Sequence, residues 1–188
     1  MLSSGLTRQS HDSIFWEKRF HQTSIQDLVD TLDINRASLY DTYHDKSGLF
    51  TDCLTAYRND VLHQVQEVLN EKSVKKGFQN LFNLIAESLS NDINKKGCFV
   101  CNTYAELLPS KDKKTHQFLH ETKKLWVNMI LKALKRGIEN NEIKKNTNTE
   151  EIAYSIYASI IGLSTLSKIT KNHKDLKNIL TPHLQIFN

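Results

Sequence analysis

Apolar residues recur at three- and four-residue steps along almost the whole chain, so it reads as a string of helices. Thr23-Ser24-Ile25-Gln26 has the form of a capping box, with Thr23 as N-cap and Gln26 reaching back. It predicts a helix through Leu32 whose inner face is Ile25, Leu28, Val29 and Leu32. Asp33-Ile34-Asn35 reads as a tight turn, and Asn35 can cap a short helix from Arg36 to about Tyr43 with Leu39 inward. Asp45 then caps a long helix to about Asn70, with Leu49, Phe50, Cys53, Leu54, Tyr57, Val61, Val65, Val68 and Leu69 as its stripe. A break at Glu71 to Ser73 precedes a helix carrying Phe78, Leu81, Phe82, Ile85 and Leu89. After a basic turn at Asn94 to Gly97, a short helix from Cys98 to Leu108 stops before Pro109, because the residue before a proline avoids the helical region. Lys113 to Asn140 is a long amphipathic helix with Leu125, Trp126, Met129, Ala133, Leu134 and Ile138. Thr149 is expected to cap the next, and Asp175 to Leu184 forms a last one whose end Pro182 disturbs.

Composition sharpens the class. Only 6 Gly and 2 Pro in 188 residues argue against a strand-rich fold, which needs turns and therefore those residues. With 39% apolar and 24% charged residues the chain has the make-up of an ordered protein. An all-α fold follows. Three cysteines cannot pair completely within one chain, which suits a reducing compartment. Met1 to Ser10 lacks the apolar centre of a secretory leader, and the longest uncharged run, Ile152 to Ser167, is too short to span a bilayer. The expectation is a cytoplasmic protein with no membrane partner.

Helix, three-residue turn and short helix is the layout of a helix-turn-helix, with Leu28, Leu32, Ile34 and Leu39 clamping the pair. The second helix would then present Arg36, Ala37 and Ser38 to base edges in a major groove. Tyr40, Tyr43, His44 and Lys46 would lie along phosphates, and the Thr23 hydroxyl is a further natural phosphate ligand. The competing reading of the same spacing is a helix corner in an ordinary core.

The stretches Phe15-Trp16-Glu17-Lys18-Arg19-Phe20, Thr23-Ser24-Ile25, Ser38-Leu39-Tyr40 and Tyr43-His44-Asp45-Lys46 together resemble the DNA-binding head of the TetR/AcrR family of bacterial regulators. The resemblance is dense over about the first quarter of the chain. Beyond it the likeness is one of architecture, with Gly97-Cys98-Phe99-Val100 similar to one branch of the family. It implies a homodimeric regulator, most often a repressor, that binds operator DNA. A small molecule filling its C-terminal domain would lower its DNA affinity. The family usually has Gly where this chain has Arg19 and Asp33, and Ala where it has Val29. Positive φ is therefore expected at Arg19 and Asp33, a strain for Arg more than for Asp. The nearly all polar stretch Thr7 to Ile14 replaces apolar residues that family members carry ahead of Phe15, so its contribution to the head's small core is expected to be poor.

This frame divides the chain into a head, 1–46, and a helical ligand-binding and dimerisation domain, 47–188. Residues 1–50 hold five bases and seven acids, so few phosphate contacts and a shallow salt dependence are expected. An aromatic-rich set offers walls for an apolar or aromatic effector: Tyr57, Phe78, Phe82, Phe99, Trp126 and Met129, with Asn102 or Tyr104 as polar anchors. That some of them line a cavity is what the resemblance implies; each alone reads equally well as core. Ile152, Ile156, Tyr157, Ile160 and Leu163 make a helix apolar over most of its circumference, and small residues beside them admit a close neighbour. An isologous dimer on this helix, with Leu176 and Leu180 of the last, is expected.

Cys98 and Cys101 form a C-x-x-C whose thiols can either sense oxidants or simply pack as small apolar residues. A zinc site would need a second pair, and only Cys53 remains, so no metal or cofactor is expected. His116 and His120 have ligand spacing without a carboxylate-rich partner motif and read as a solvated face. No nucleophile elbow or phosphate-cradling glycine loop occurs, so an enzyme has no positive support. The competing function is a helical small-molecule-binding or interaction protein whose decayed head no longer binds DNA.

Overall fold

The computed structural model describes residues 14–108, 113–170 and 172–187, all in helices and short turns with no strand among them. Of the stretch Thr7 to Ile14 only Ile14 is described, and it is buried in the head's core; the stop at Pro109 lies outside the described residues. The helices are α1 (residues 14–18), α2 (Ile25–Leu32), α3 (Arg36–Tyr43), α4 (Lys46–Leu69), α5 (Val74–Ser90), α6 (Phe99–Leu107), α7 (Lys113–Glu139), α8 (Thr149–Leu166) and α9 (His173–Leu180). A 3₁₀ helix, Thr181–Phe187, closes the described chain where Pro182 prevents a continued α-helix.

Local chemistry sets most of these boundaries. The Asn35 side chain accepts from the Ser38 amide and the Asp45 side chain from the Gly48 amide, so both expected caps are in place. Two expected caps move by one residue. Ser24, not Thr23, caps α2: its hydroxyl accepts from the Asp27 amide while the Asp27 carboxylate accepts from the Ser24 amide. Asp27 completes the box in place of Gln26, because its position three residues on from Ser24 lets the carboxylate reach back. Asn148, not Thr149, caps α8. The last helix starts at His173, earlier than expected, because Asn172 caps it.

Two hydrophobic clusters fill the interior. One gathers α4, α5, α7, α8 and α9 around Phe78, Leu81, Phe82, Ile130, Leu134, Ala153, Ile156, Leu163, Leu176 and Leu180. The other joins Phe15, Leu28, Leu32 and Leu39 of the head to Leu49, Phe50 and Leu54 of α4, Phe99, Val100 and Leu107 of α6, and Phe118 and Leu119 of α7. The head's core therefore continues into the larger domain. Phe15, Phe20 and Phe50 pack ring against ring, and Phe50 meets Phe99 edge-on at 5.5 Å.

Candidate nucleic-acid interface and ligand cavity

The turn between α2 and α3 works as a helix-turn-helix turn requires. Leu28, Leu32 and Leu39 are buried, and Asp33 ends α2 in the left-handed region at φ 50°. With only Leu39 buried, α3 leaves Arg36, Ala37, Ser38, Tyr40 and His44 beyond its end exposed together. Asp41 shares that exposed surface, so a phosphate there meets one carboxylate as well.

Three residues expected at phosphate are held elsewhere. Thr23 is buried, and its hydroxyl donates to the Arg19 carbonyl at 2.6 Å. The Lys46 ammonium donates to the carbonyls of Phe20 at 3.0 Å and Thr23 at 2.9 Å, and lies over the Phe20 ring. It thus ties the turn between α1 and α2 to the start of α4. Tyr43 is half-buried against the head's core, and burial raises its phenol pKa. Lys18 pairs with Asp27 at 2.6 Å. That hydrogen bond, followed by those from Ser24, lowers the Asp27 pKa to about 2. The turn carries the strain expected of it, with Arg19 at φ 72°.

A cavity of about 190 Å³ opens between α4, α5, α6, α7 and α8. Of the eight expected wall residues, Tyr57 and Trp126 line it. Phe78 and Phe82 fill the aliphatic core, and Phe99 belongs to the head's cluster. Met129 packs against the first cluster. Asn102 is buried away from the cavity, donating to the Lys96 carbonyl at 2.7 Å and accepting from Lys168 at 2.6 Å. Tyr104 stands behind the wall, its hydroxyl donating to the Leu119 carbonyl and meeting the Tyr157 hydroxyl at 3.2 Å. The helical stripe alone could not sort these residues, since wall and core share one periodicity. The cavity also takes in Arg58, Cys98, Val100, Cys101, Tyr157 and Ile160. The C-x-x-C marked two of those in the sequence; no local pattern marked Arg58.

α6 stands between cavity and head. Cys98, Val100 and Cys101 face the cavity, while Phe99 is buried among the head's aromatic rings. The Glu106 carboxylate accepts from the Phe20 amide at 3.2 Å and the His21 amide at 2.8 Å. Just before α6, the Gly97 carbonyl accepts from the Trp16 indole at 3.0 Å, and the Cys98 amide donates to the Ser164 hydroxyl. Gly97 sits at φ 66°, and a Cβ there would approach the Ser164 carbonyl to 3.2 Å, so this crossing needs glycine.

The expected dimer residues need correction. Ile156, Leu163, Leu176 and Leu180 are fully enclosed by their own protomer and have no area to give a partner. Tyr157 and Ile160 line the cavity, and Ile152 packs on the core. The protomer covers more of α8 than expected because α7 and α9 both pack on it. What remains outward on α8 includes Tyr154, Ser155, Ala158, Thr165 and Leu166, with Ile179 of α9 also exposed.

A helix-turn-helix carried by a larger helical domain with an internal cavity is the form of a DNA-binding transcriptional regulator. A family model described as the tetracyclin repressor-like C-terminal domain matches residues 75–181. The chain belongs to the TetR family of transcriptional regulators, and it is not an enzyme. The HTH-type transcriptional regulator YezE of Bacillus subtilis (strain 168) is 28% identical over 177 residues, 92% of this chain and 90% of that protein. The HTH-type transcriptional repressor DhaR of Mycobacterium sp. (strain GP1) is 25% identical over 170 residues, 89% and 83% of the two chains. A cysteine mutant of the TetR family regulator CifR, solved with 26 bp double-strand operator DNA, superposes with a TM-score of 0.86 at 21% identity over 99% of this chain and 97% of its own. The reduced form of Escherichia coli NemR gives 0.85 at 17% identity, covering 97% of each chain. At those identities the two structures speak for the fold. Among the described residues no helix is long and apolar enough to cross a membrane, and no His/Cys/Asp/Glu group is placed to hold a metal.

Proposed function

We propose that this protein is a cytoplasmic, ligand-responsive transcriptional repressor that binds operator DNA as a homodimer and releases it when a small molecule fills the cavity. The observation that carries this reading is the double attachment of α6, whose one side lines the cavity while Phe99 and Glu106 hold the head. A ligand that displaces the cavity wall moves the same element that holds α1 and the turn after it. The name of DhaR and the operator complex of CifR support the DNA-binding half of the reading.

Residues 1–46 act as the DNA reader and 47–188 as the ligand-binding and dimerising part. Arg36, Ala37 and Ser38 meet base edges, Tyr40 and His44 meet phosphate, and Lys46, Thr23 and Tyr43 brace the head from behind. Two heads must reach half-sites about 34–36 Å apart, so a ligand that changes their separation loses half of a bivalent contact. The partner covers the outward face of α8, where a Cβ on Gly162 would meet nothing in its own protomer. The effector is apolar or aromatic and about one ring in size, since a cavity of roughly 150 Å³ accepts benzene. The alternative of a decayed head gains no support from α2 and α3, which keep both caps and a filled core.

The test is a gel shift with DNA from upstream of the protein's own gene, run beside light scattering. A dimer that shifts this DNA, with the shift lost in Arg36→Ala, is the expected result. A micromolar monomer, or a shift indifferent to Arg36→Ala and Tyr40→Ala together, overturns the reading.

A further inference from the structure

We propose that Cys98 and Cys101 form a dithiol site in the cavity wall that is oxidised by a small hydroperoxide, and that the resulting disulfide weakens DNA binding. The second clause rests on the repressor reading; the first does not.

The two thiols are placed for this chemistry. Cys98 is the N-cap of α6, with extended backbone at φ −84° and ψ 129°, and Cys101 follows one turn later. One helical turn sets their Cα atoms about 5 Å apart, inside the roughly 4.4–6.8 Å that a disulfide spans, and the non-helical N-cap backbone of Cys98 can adjust to bring the sulfurs together. Neither thiol is in a disulfide, both are partly accessible, and both face the cavity. The Tyr57 hydroxyl reaches the Cys98 sulfur from α4.

Their environments divide the roles. The Cys101 thiol, then the Cys101 and Val100 amides and the Tyr57 hydroxyl, favour the Cys98 thiolate and outweigh burial, lowering its pKa to about 6. Cys101 is pushed up by its hydrogen bond to Cys98 and by burial. A thiolate therefore sits beside a protonated neighbour, the pairing of an attacking and a resolving cysteine.

The Cys98 sulfur attacks the terminal oxygen of the hydroperoxide. An S–O bond forms, the O–O bond breaks, and the departing alkoxide takes up the proton Cys98 released on ionising. The Cys101 sulfur then attacks Cys98, an S–S bond forms, the S–O bond breaks, and the oxygen leaves as water with the Cys101 proton. Two thiols lose two electrons, and one hydroperoxide becomes one alcohol and one water. A cavity of about 190 Å³ has room for hydrogen peroxide or a small organic hydroperoxide. Closing the disulfide ends the thiol–Tyr57 contact and re-sets the first turn of α6, next to Phe99 in the head's core.

The experiment treats reduced full-length protein with equimolar tert-butyl hydroperoxide and follows it by peptide mass mapping and gel shift. Wild type should lose two hydrogens, map to a Cys98–Cys101 link and bind DNA about tenfold more weakly, with dithiothreitol restoring both. Cys98→Ser should abolish the reaction, Cys101→Ser should stop at a dimedone-trappable sulfenic acid on Cys98, and Cys53→Ser should behave as wild type. The wild-type map requires no variant to fold. Absence of the Cys98–Cys101 link overturns the site. A link formed with unchanged DNA affinity overturns the regulatory role. Reduced protein that never shifts the DNA overturns the repressor reading, while the peptide map still decides the thiol chemistry.

Discussion

α3 and α6 are nearly equal in length, eight and nine residues, and are used in opposite ways. α3 buries Leu39 alone and turns the rest of its surface to solvent. α6 buries Phe99, Val100, Asn102, Thr103 and Leu107, and the chain around it is hydrogen-bonded to the head, α7 and α8. Under the proposed function α3 reads DNA, which needs free side chains on a firm base, and Leu39 with the Asn35 cap supplies the base. Under the same proposal α6 transmits, which needs contacts on every side, because it moves the head only as far as it is mechanically tied to it. Substitutions in α3 should therefore change binding with little change in stability, and substitutions in α6 should change both.

The largest effect is expected from Phe99→Ala. Removing a buried aromatic that joins both parts should cost about 3–5 kcal/mol of stability, measured by denaturant unfolding. A loss comparable to that of a surface alanine would break the view of α6 as the shared strut. Arg36→Ala should leave unfolding almost unchanged and weaken operator binding by about 1–3 kcal/mol with relaxed base preference, read by competition with mismatched operators. Glu106→Ala removes the acceptor for two head amides and should cost about 1–2 kcal/mol of stability. It should also blunt the response of DNA binding to cavity ligands, which Arg36→Ala should not; equal blunting in both would erase the distinction.

Two smaller effects sharpen the comparison. Arg19→Gly relieves a non-glycine residue at φ 72° and removes a positive charge that repels that of Lys168, and should stabilise by roughly 0.5–1 kcal/mol in thermal unfolding. Iodoacetamide labelling should distinguish α6 from the core. With its pKa lowered to about 6, Cys98 is protonated and slow below that pH and reacts as thiolate above it. The buried Cys53 should label slowly throughout. Matching pH profiles for the two would remove the special environment of α6.

Much of the head was legible because its signals are local. Asn35 and Asp45 cap at fixed offsets, Leu28, Leu32 and Leu39 mark faces bordered by polar residues, and positive φ at Arg19 and Asp33 follows the family's glycines. The shift from Thr23 to Ser24 shows the limit of that reading. Two adjacent hydroxyls are equal as caps, and the structure chose by burying Thr23 against the Arg19 carbonyl.

By itself the sequence determined the helical class, the places of most helices, the exposed residues of α3 and the family, because periodicity and capping act within a turn or two of chain. Tertiary structure alone decided which residues of the almost wholly apolar α8 face inward, since a stripe marks a face only when the opposite face is polar. It also decided the cavity, which draws Tyr57, Cys98, Trp126 and Tyr157 from four separate stretches. The hold of Glu106 on residues 85 and 86 positions earlier was likewise invisible in the sequence. Contacts of that separation arise only when packed helices bring distant turns together, and nothing in the local pattern of either turn encodes the other.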